Sequence, residues 1–517
     1  MTEQPPSTPE STPTETLPAA ETEAKGRNTK GLAIGAIAAV VVLALAGGAF
    51  AVIKKLDGGG PQPHDVLPAS VIAYARVDLD PSASQKIALF KLIRKFPDGA
   101  KSIGIKSVNQ DVRKLVFDEA LKDSDCGLTY DHDIKPWLGY RLGVALEKDA
   151  KTPLVAVQVS DDGKAKKGLA AMAKCDDGPA PGVAFLDGYA VVAEKQSTAD
   201  QAVKDAKASP LADNKNFIED FKDLGDQGVA SVWADAKALT AASDITGNDA
   251  SISGAETLSG LRSAAATVTA QTAALNLSTV VHTDKALPTL KPAKLTTLPK
   301  NTALAFSVSG GGNRAGESFD SFIEGLKKDG EDTDAELASI KKEFDFDLPD
   351  DLVTLLGDSL TLAVGSRNLE TLPTLSSPAD LANLDIGLAF VSDPTKAKDL
   401  ADRLVSFADG FDVPLAASST ANGAVIATNG AAAKALGGGG ALGKDDTFTK
   451  VVPDADKAFG ALYVNIGAIL TALSKSDPPP DVAKQIDQLK VLSALGGSAS
   501  RDSDHVGRAN LRLTFAK

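Results

Sequence analysis

The chain has 517 residues, a net charge of −14, few aromatics and abundant alanine and glycine. That charge excludes a general nucleic-acid binder, because phosphate contacts need a cationic face. The two cysteines, Cys126 and Cys175, do not form a Cys-x-x-Cys pair, which excludes a thioredoxin-type redox centre.

The chain opens with a segment rich in Pro, Thr, Ser and Glu. It cannot bury enough apolar surface to offset its ordering entropy, so residues 1–30 are predicted to be a disordered cytoplasmic tail. Thr8-Pro9 and Thr12-Pro13 are candidate phosphate acceptors there, against the plainer reading of a solvated tail.

Gly31 to Ile53 carries no charge and no strongly polar side chain. As a helix it would reach about 34 Å, enough to cross a hydrocarbon core of about 30 Å. It is predicted to be a single transmembrane helix. Lys25, Arg27 and Lys30 precede it, and Lys54 and Lys55 follow. The bias places the N-terminus in the cytoplasm, the protein in the plasma membrane and the body outside it. A cleaved signal peptide ending at Ala49-Phe50-Ala51 is the alternative, but the run exceeds the roughly 7–15 residues of a signal core. Gly31, Gly35 and Ala39 share one helix face, a seam at which two copies could dimerise.

Residues 54–64, with Gly58-Gly59-Gly60-Pro61, read as a flexible tether. Val71, Ala73, Ala75 and Val77 then alternate as in a strand, and Ile87, Phe90 and Ile93 share a helix face. The plan returns later. Thr302, Leu304, Phe306 and Val308 alternate, and Phe319, Phe322, Ile323 and Leu326 have helical spacing. Val159-Ser160-Asp161 recurs as Val391-Ser392-Asp393, Leu211 and Phe217 as Leu442 and Phe448, and Trp233 as Tyr463. The near-constant offset predicts two copies, 65–287 and 288–517. Helices follow each Val-Ser-Asp block: Ala165, Gly168, Leu169 and Met172 in one, Ala397, Leu400, Leu404 and Phe407 in the other. Asp187-Gly188 and Asn422-Gly423 signal hairpins, and each copy ends in alternation, Leu275 to Thr279 and Leu511 to Phe515. The fold class is therefore α+β: an N-terminal transmembrane helix plus two tandem α+β repeats with antiparallel sheets.

The stretches LPASVIAYARVDLDPSASQK, Ile134 to Leu146 (IKPWLGYRLGVAL) and Leu211 to Phe217 (LADNKNF) resemble a family of actinobacterial single-pass membrane proteins with an uncharacterised extracytoplasmic domain. The resemblance is weaker in the second copy, where Leu355 stands for Trp137 and Thr354 for Pro136. It implies location and class and supplies no catalytic residues.

An isolated cysteine pair outside the cytoplasm is usually a bridge, so Cys126 and Cys175 are the disulfide candidates, closing a loop worth at most about 4 kcal/mol. Buried free thiols are the alternative. Gly438 to Lys444 imitates a phosphate loop, but Asp445 sits where Ser or Thr must hold Mg²⁺. Glu343, Asp345, Asp347, Asp350 and Asp351 are crowded enough for a hard cation, yet the EF-hand glycine and terminal glutamate are missing. Asp350 and Asp351 suit the cap and first turn of the following helix. His64, His132, His282 and His505 are scattered, without the spacing of a zinc site, and no nucleophile signature occurs. Trp137 and Trp233 read as packing residues. No catalytic, cofactor-binding or metal residue is assigned.

The leading expectation is a non-enzymatic, membrane-anchored extracytoplasmic protein that binds or scaffolds an envelope protein or lipid. A carrier or sensor of an apolar, lipid-like ligand is the alternative, since antiparallel sheets under Ala-rich helices can enclose an acyl chain. An unrecognised hydrolase is the third.

Overall fold

The computed structural model describes residues 60–79, 82–96, 111–121, 127–175, 178–246, 260–328 and 332–516. Its first half runs β1 (Ala73–Asp78), α1 (Ala83–Ile93), α2 (Val112–Leu121), β2 (Leu138–Leu146), β3 (Pro153–Val159), α3 (Asp162–Cys175), β4 (Gly182–Leu186) and β5 (Tyr189–Ala193). It continues with α4 (Gln196–Ala208), α5 (Lys215–Leu224), β6 (Ala230–Asp235), α6 (Ala236–Thr246), β7 (Leu261–Gln271) and β8 (Ala274–Thr283). The second half runs β9 (Thr302–Ser309), α7 (Gly311–Lys328), α8 (Thr333–Phe344), α9 (Asp350–Leu356), β10 (Ser359–Gly365), β11 (Ile386–Val391), α10 (Pro394–Asp409), β12 (Ala416–Thr420) and β13 (Gly423–Ala427). It ends with α11 (Gly430–Gly437), α12 (Asp446–Val451), β14 (Gly460–Val464), α13 (Ile466–Lys475), α14 (Pro480–Leu489), β15 (Leu492–Ser503) and β16 (Val506–Phe515).

All sixteen strands form one sheet, ordered β12-β13-β11-β10-β9-β14-β15-β16-β8-β7-β6-β1-β2-β3-β5-β4, with every pairing antiparallel. Read inward from either edge, the order within each half is the same. The halves meet where β16 pairs with β8, from Val506 opposite His282 to Thr514 opposite Ala274. The sequence leaves open whether the two halves form one body or two; this shared sheet joins them into one. The Pro-punctuated stretch between the halves breaks the chain's regularity without breaking the sheet, since β16 returns to the last strand of the first half.

Helices lie on both faces. On one, Ala199, Ala202 and Val203 of α4 and Phe217, Phe221 and Leu224 of α5 bury Leu154, Tyr189, Val191 and Trp233. Phe448 and Val451 of α12 bury Tyr463 and Ala461 in the same way in the second half. On the other face, Ala165 and Leu169 of α3 and Phe117 of α2 cover Val77, Leu142 and Val157. Ala397, Leu400 and Ala401 of α10 cover Phe390, Ala424 and Ile426. Period-two alternation sends successive side chains of each strand to opposite clusters.

Two expectations are corrected here. Among the described residues no helix is long and apolar enough to cross a membrane. The transmembrane helix, the single-pass plasma-membrane placement and the membrane partner thus have no counterpart in the described fold. Gly31 to Ile53, with the Gly31, Gly35 and Ala39 seam, lies outside the described residues. Cys126 also lies outside them, and with it the expected pairing with Cys175. Cys175 ends α3 half-buried and is not a free thiol. Finally, Asp187 (φ 47°) and Gly188 (φ 78°) do form the tight turn between β4 and β5. The β12–β13 turn, however, is Ala421-Asn422, and Gly423 already pairs with Thr420.

Replacing the fully buried Leu154 by alanine should lower the unfolding free energy by about 2–5 kcal/mol. Leu277→Ala, where the side chain is 39% exposed, should change it by no more than about 1 kcal/mol. Urea melts of the two variants check the contrast.

Candidate functional site

In an antiparallel sheet directly opposed residues share a face, so register alone defines rows across the strands. One row runs Leu362, Phe306, Leu462, Gly497, Leu511 and Leu277, from β10 to β8. The neighbouring row runs Val364, Leu304, Val464, Leu495, Leu513 and Leu275. A third, Leu360, Val308, Gly460, Ala499, Ala509 and Thr279, contributes one hydroxyl. The first row continues through Val268 and Ala230 to Val77, which places it on the face that α2 and α3 cover in the first half.

Towards both sheet edges this face is closed. Leu89, Phe90 and Ile93 of α1 reach Val268, Ala270 and Leu275, and α10 closes the opposite side over Ile426 and Phe390. Between them it is open. Phe306 is 47% exposed, Leu277 39%, Leu362 38% and Leu511 38%. The cause lies in α7. It occupies the place after β9 that α1 occupies after β1, but it packs chiefly on α9 instead of on the strands beneath. Five strands from β9 to β8, about 4.8 Å apart, make the open band about 19 Å wide. Single exposed apolar residues need no explanation; a continuous band of them does.

The other candidates behave differently. Asp345, Asp347, Asp350 and Asp351 line a cleft of about 260 Å³ with Lys341, Lys396, Asp399 and Arg403. Its own cations pair with part of that charge. Arg403 grips Asp351 through Nη2–Oδ1 (2.6 Å) and Nη1–Oδ2 (2.9 Å), and Lys341 Nζ donates to Asp347 Oδ2 at 2.6 Å. Buried Asp351 is held below its ordinary range: these bonds outweigh its desolvation. Among the described residues no three metal-capable side chains converge. Asp350 and Asp351 stand in the first turn of α9, and Pro349 occupies the cap. In the glycine-rich stretch Asp445 caps α12, accepting from the amides of Thr447 and Phe448.

His132 is exposed. His282, which gave no signal in the sequence, is buried in β8 between two carboxylates. Nδ1 lies against Asp220 Oδ1, and Nε2 is 3.0 Å from Asp223 Oδ2. Asp220 Oδ2 also accepts from Trp233 Nε1 at 2.7 Å, and burial pushes this carboxyl upward. Ser263 stands opposite His282 in the sheet, but both imidazole nitrogens are occupied, so this is no Ser-His nucleophile pair. The cluster ties the halves together: Arg508 of β16 donates to the Asp223 carbonyl at 3.0 Å. Trp137 and Trp233 are both core residues, 2% exposed.

Residues 172–408 match a family model described as a protein of unknown function (DUF3352), a stretch that begins in α3 and ends in α10. No curated protein matches the chain. Two solved structures, crystal forms I and III of TP0453, are similar over 45% of this chain and over 82% and 84% of theirs. Their identities are 10% and 9%, with a TM-score of 0.22 in both cases, and no fold relationship follows from so low a score.

His64 generates a prediction. It is covered by aromatic neighbours, 5.1 Å from Phe217 and 6.1 Å from Tyr74 between ring centroids. Burial lowers its pKa from 6.5 to about 4; Asp65 opposes the shift and Arg76 adds to it. The unfolded chain therefore binds more protons between those values. The stabilisation is complete above pH 6.5 and falls as pH drops towards 4. We expect a loss of about 3 kcal/mol from this group across that window. His64→Phe should flatten the fall, as followed by urea melts at stepped pH.

Proposed function

We propose that this protein binds an extended apolar ligand of acyl-chain type on the open middle of its sheet, as a carrier or sensor. The observation that carries the reading is the register itself. Three adjacent rows, apolar except for Thr279, lie on one face of β9, β14, β15, β16 and β8, with Phe306, Leu277, Leu362 and Leu511 of the first row exposed, while helices close the same face on either side. Each methylene moved from water onto such a surface gains about 0.8 kcal/mol. A chain lying across the rows thus gains affinity along its length without any polar partner. The closed flanks limit its position. No catalytic step is part of this reading. His282 is engaged on both nitrogens, and in the acidic cleft Lys341 and Arg403 hold Asp347 and Asp351.

The test is displacement of a fluorescent fatty acid, together with mass spectrometry of organic extracts of the purified full chain. Phe306→Asp and Leu511→Asp should each weaken probe binding at least tenfold, about 1.4 kcal/mol, with near-normal melting behaviour. Leu372→Asp, an equally exposed apolar residue outside the rows, should leave it unchanged. Empty extracts with a probe indifferent to the first two variants would refute the proposal.

A further inference from the structure

The opposite face of the same sheet holds a buried ionic cluster under a short strap. Residues Pro61–Asp65 cross β2 and β3, with Pro63 seated on Gly143, where an added Cβ would lie 2.4 Å from the proline Cβ. Beneath are Arg76, Asp78 and Arg141, each 5–7% exposed. Arg76 Nη2 and Arg141 Nε donate to the same oxygen, Asp78 Oδ2, at 2.9 and 3.3 Å. The strap completes the shell with a neutral group: the Pro61 carbonyl accepts from Tyr189 Oη at 2.8 Å and Arg141 Nη1 at 3.4 Å. Around it Arg76 Nε, Ser231 Oγ and His64 Nδ1 are buried without hydrogen-bond partners. Buried polar atoms normally find partners, and orphans gathered in one place call for an explanation.

The second half shows that the fold does not require this cluster. Sheet register equates Arg76 with Ser307, Asp78 with Ser309 and Arg141 with Ser359. There Ser307 Oγ lies 2.7 Å from Thr361 Oγ1, and the covering segment buries Leu295 instead of a polar side chain. The same strand order is thus built with small hydroxyls. Placing two guanidinium groups out of water is costly by comparison, unless something uses them.

We propose that this is an oxyanion site held shut by the strap. When Pro61–Asp65 lifts, a carboxylate or phosphate oxygen takes the position of the Pro61 carbonyl, against Arg141 and Tyr189. The Arg76 Nε–H and the Ser231 hydroxyl supply further donors. Guanidinium forks suit both anions. The strap carries its own carboxylate, Asp65, which leaves with it and makes room for the incoming charge. This site is independent of the apolar face and stands or falls apart from it.

The test uses the full chain, inorganic phosphate, and vesicles of phosphatidylglycerol or phosphatidylcholine. Gly143→Ala displaces Pro63. Pro63→Gly removes the ring seated on Gly143 without touching the site's donors, and covers the case in which the first variant does not fold. Either should raise phosphate affinity at least tenfold over the unaltered chain, with chloride inert. Adding Arg141→Gln should abolish the gain. In the unaltered chain, phosphate should speed amide exchange over residues 62–66. A response to inorganic phosphate supports a site for free anions. A response confined to phosphatidylglycerol vesicles supports one for a lipid headgroup. A folded strap variant that binds neither better than the unaltered chain overturns the proposal, as does a gain that survives Arg141→Gln.

Discussion

The pairing of β8 with β16 is the constraint on which the rest of the structure depends. Each half carries its last strand at an edge, and an edge strand presents unpaired amides and carbonyls that template further pairing. Nine residue pairs between the two strands close both edges at once. Those same pairs align Leu277 with Leu511 and Leu275 with Leu513, so hydrogen bonding across the join also makes the apolar rows continuous. The buried Asp220–His282–Asp223 cluster and the bond from Arg508 to the Asp223 carbonyl reinforce the same seam. The apolar band centred there exists only because the two halves share one sheet.

The structure places opposite demands on its two faces. On one, large fully buried rings such as Trp233 and Tyr463 are covered by α5 and α12, and packing is complete. On the other, the helices that follow β1 and β9 part company: α1 lies on β7, whereas α7 leans on α9. The consequence is an apolar surface that its own chain does not cover. Such a surface is unfavourable in water, and it persists because the strands beneath are fixed from the other side. The ionic cluster under Pro61–Asp65 follows similar logic at smaller scale, for a costly arrangement is kept in one half and omitted from the other.

Much of the local structure was legible in the residues. Alternation around Leu304 and Phe306, Leu511 and Leu513, and Leu275 and Leu277 located strands, because period two is a local signal. The blocks around Val159 and Val391, and Trp233 with Tyr463, fall on corresponding strands of the two halves. What alternation cannot convey is which of two faces a helix will cover. The apolar spacing of α7 gave no hint that it would turn from the sheet. The β8–β16 pairing joins residues more than 200 positions apart, and no composition shift marks it. His282 was equally invisible, since its carboxylate partners lie about 60 residues earlier on α5. The expected transmembrane helix and its seam lie outside the described residues, and of the crowded aspartates Asp347 and Asp351 proved to be paired by Lys341 and Arg403.

The central claim is that the middle of the sheet is open to apolar ligands. Photolabelling the full chain with a diazirine-bearing fatty acid, followed by peptide mapping, tests it most directly. The account predicts adducts concentrated on β9, β14, β16 and β8, at residues such as Phe306, Leu462, Leu511 and Leu277. Adducts on α4 and α5, or labelling no greater than that of a denatured control, would contradict it.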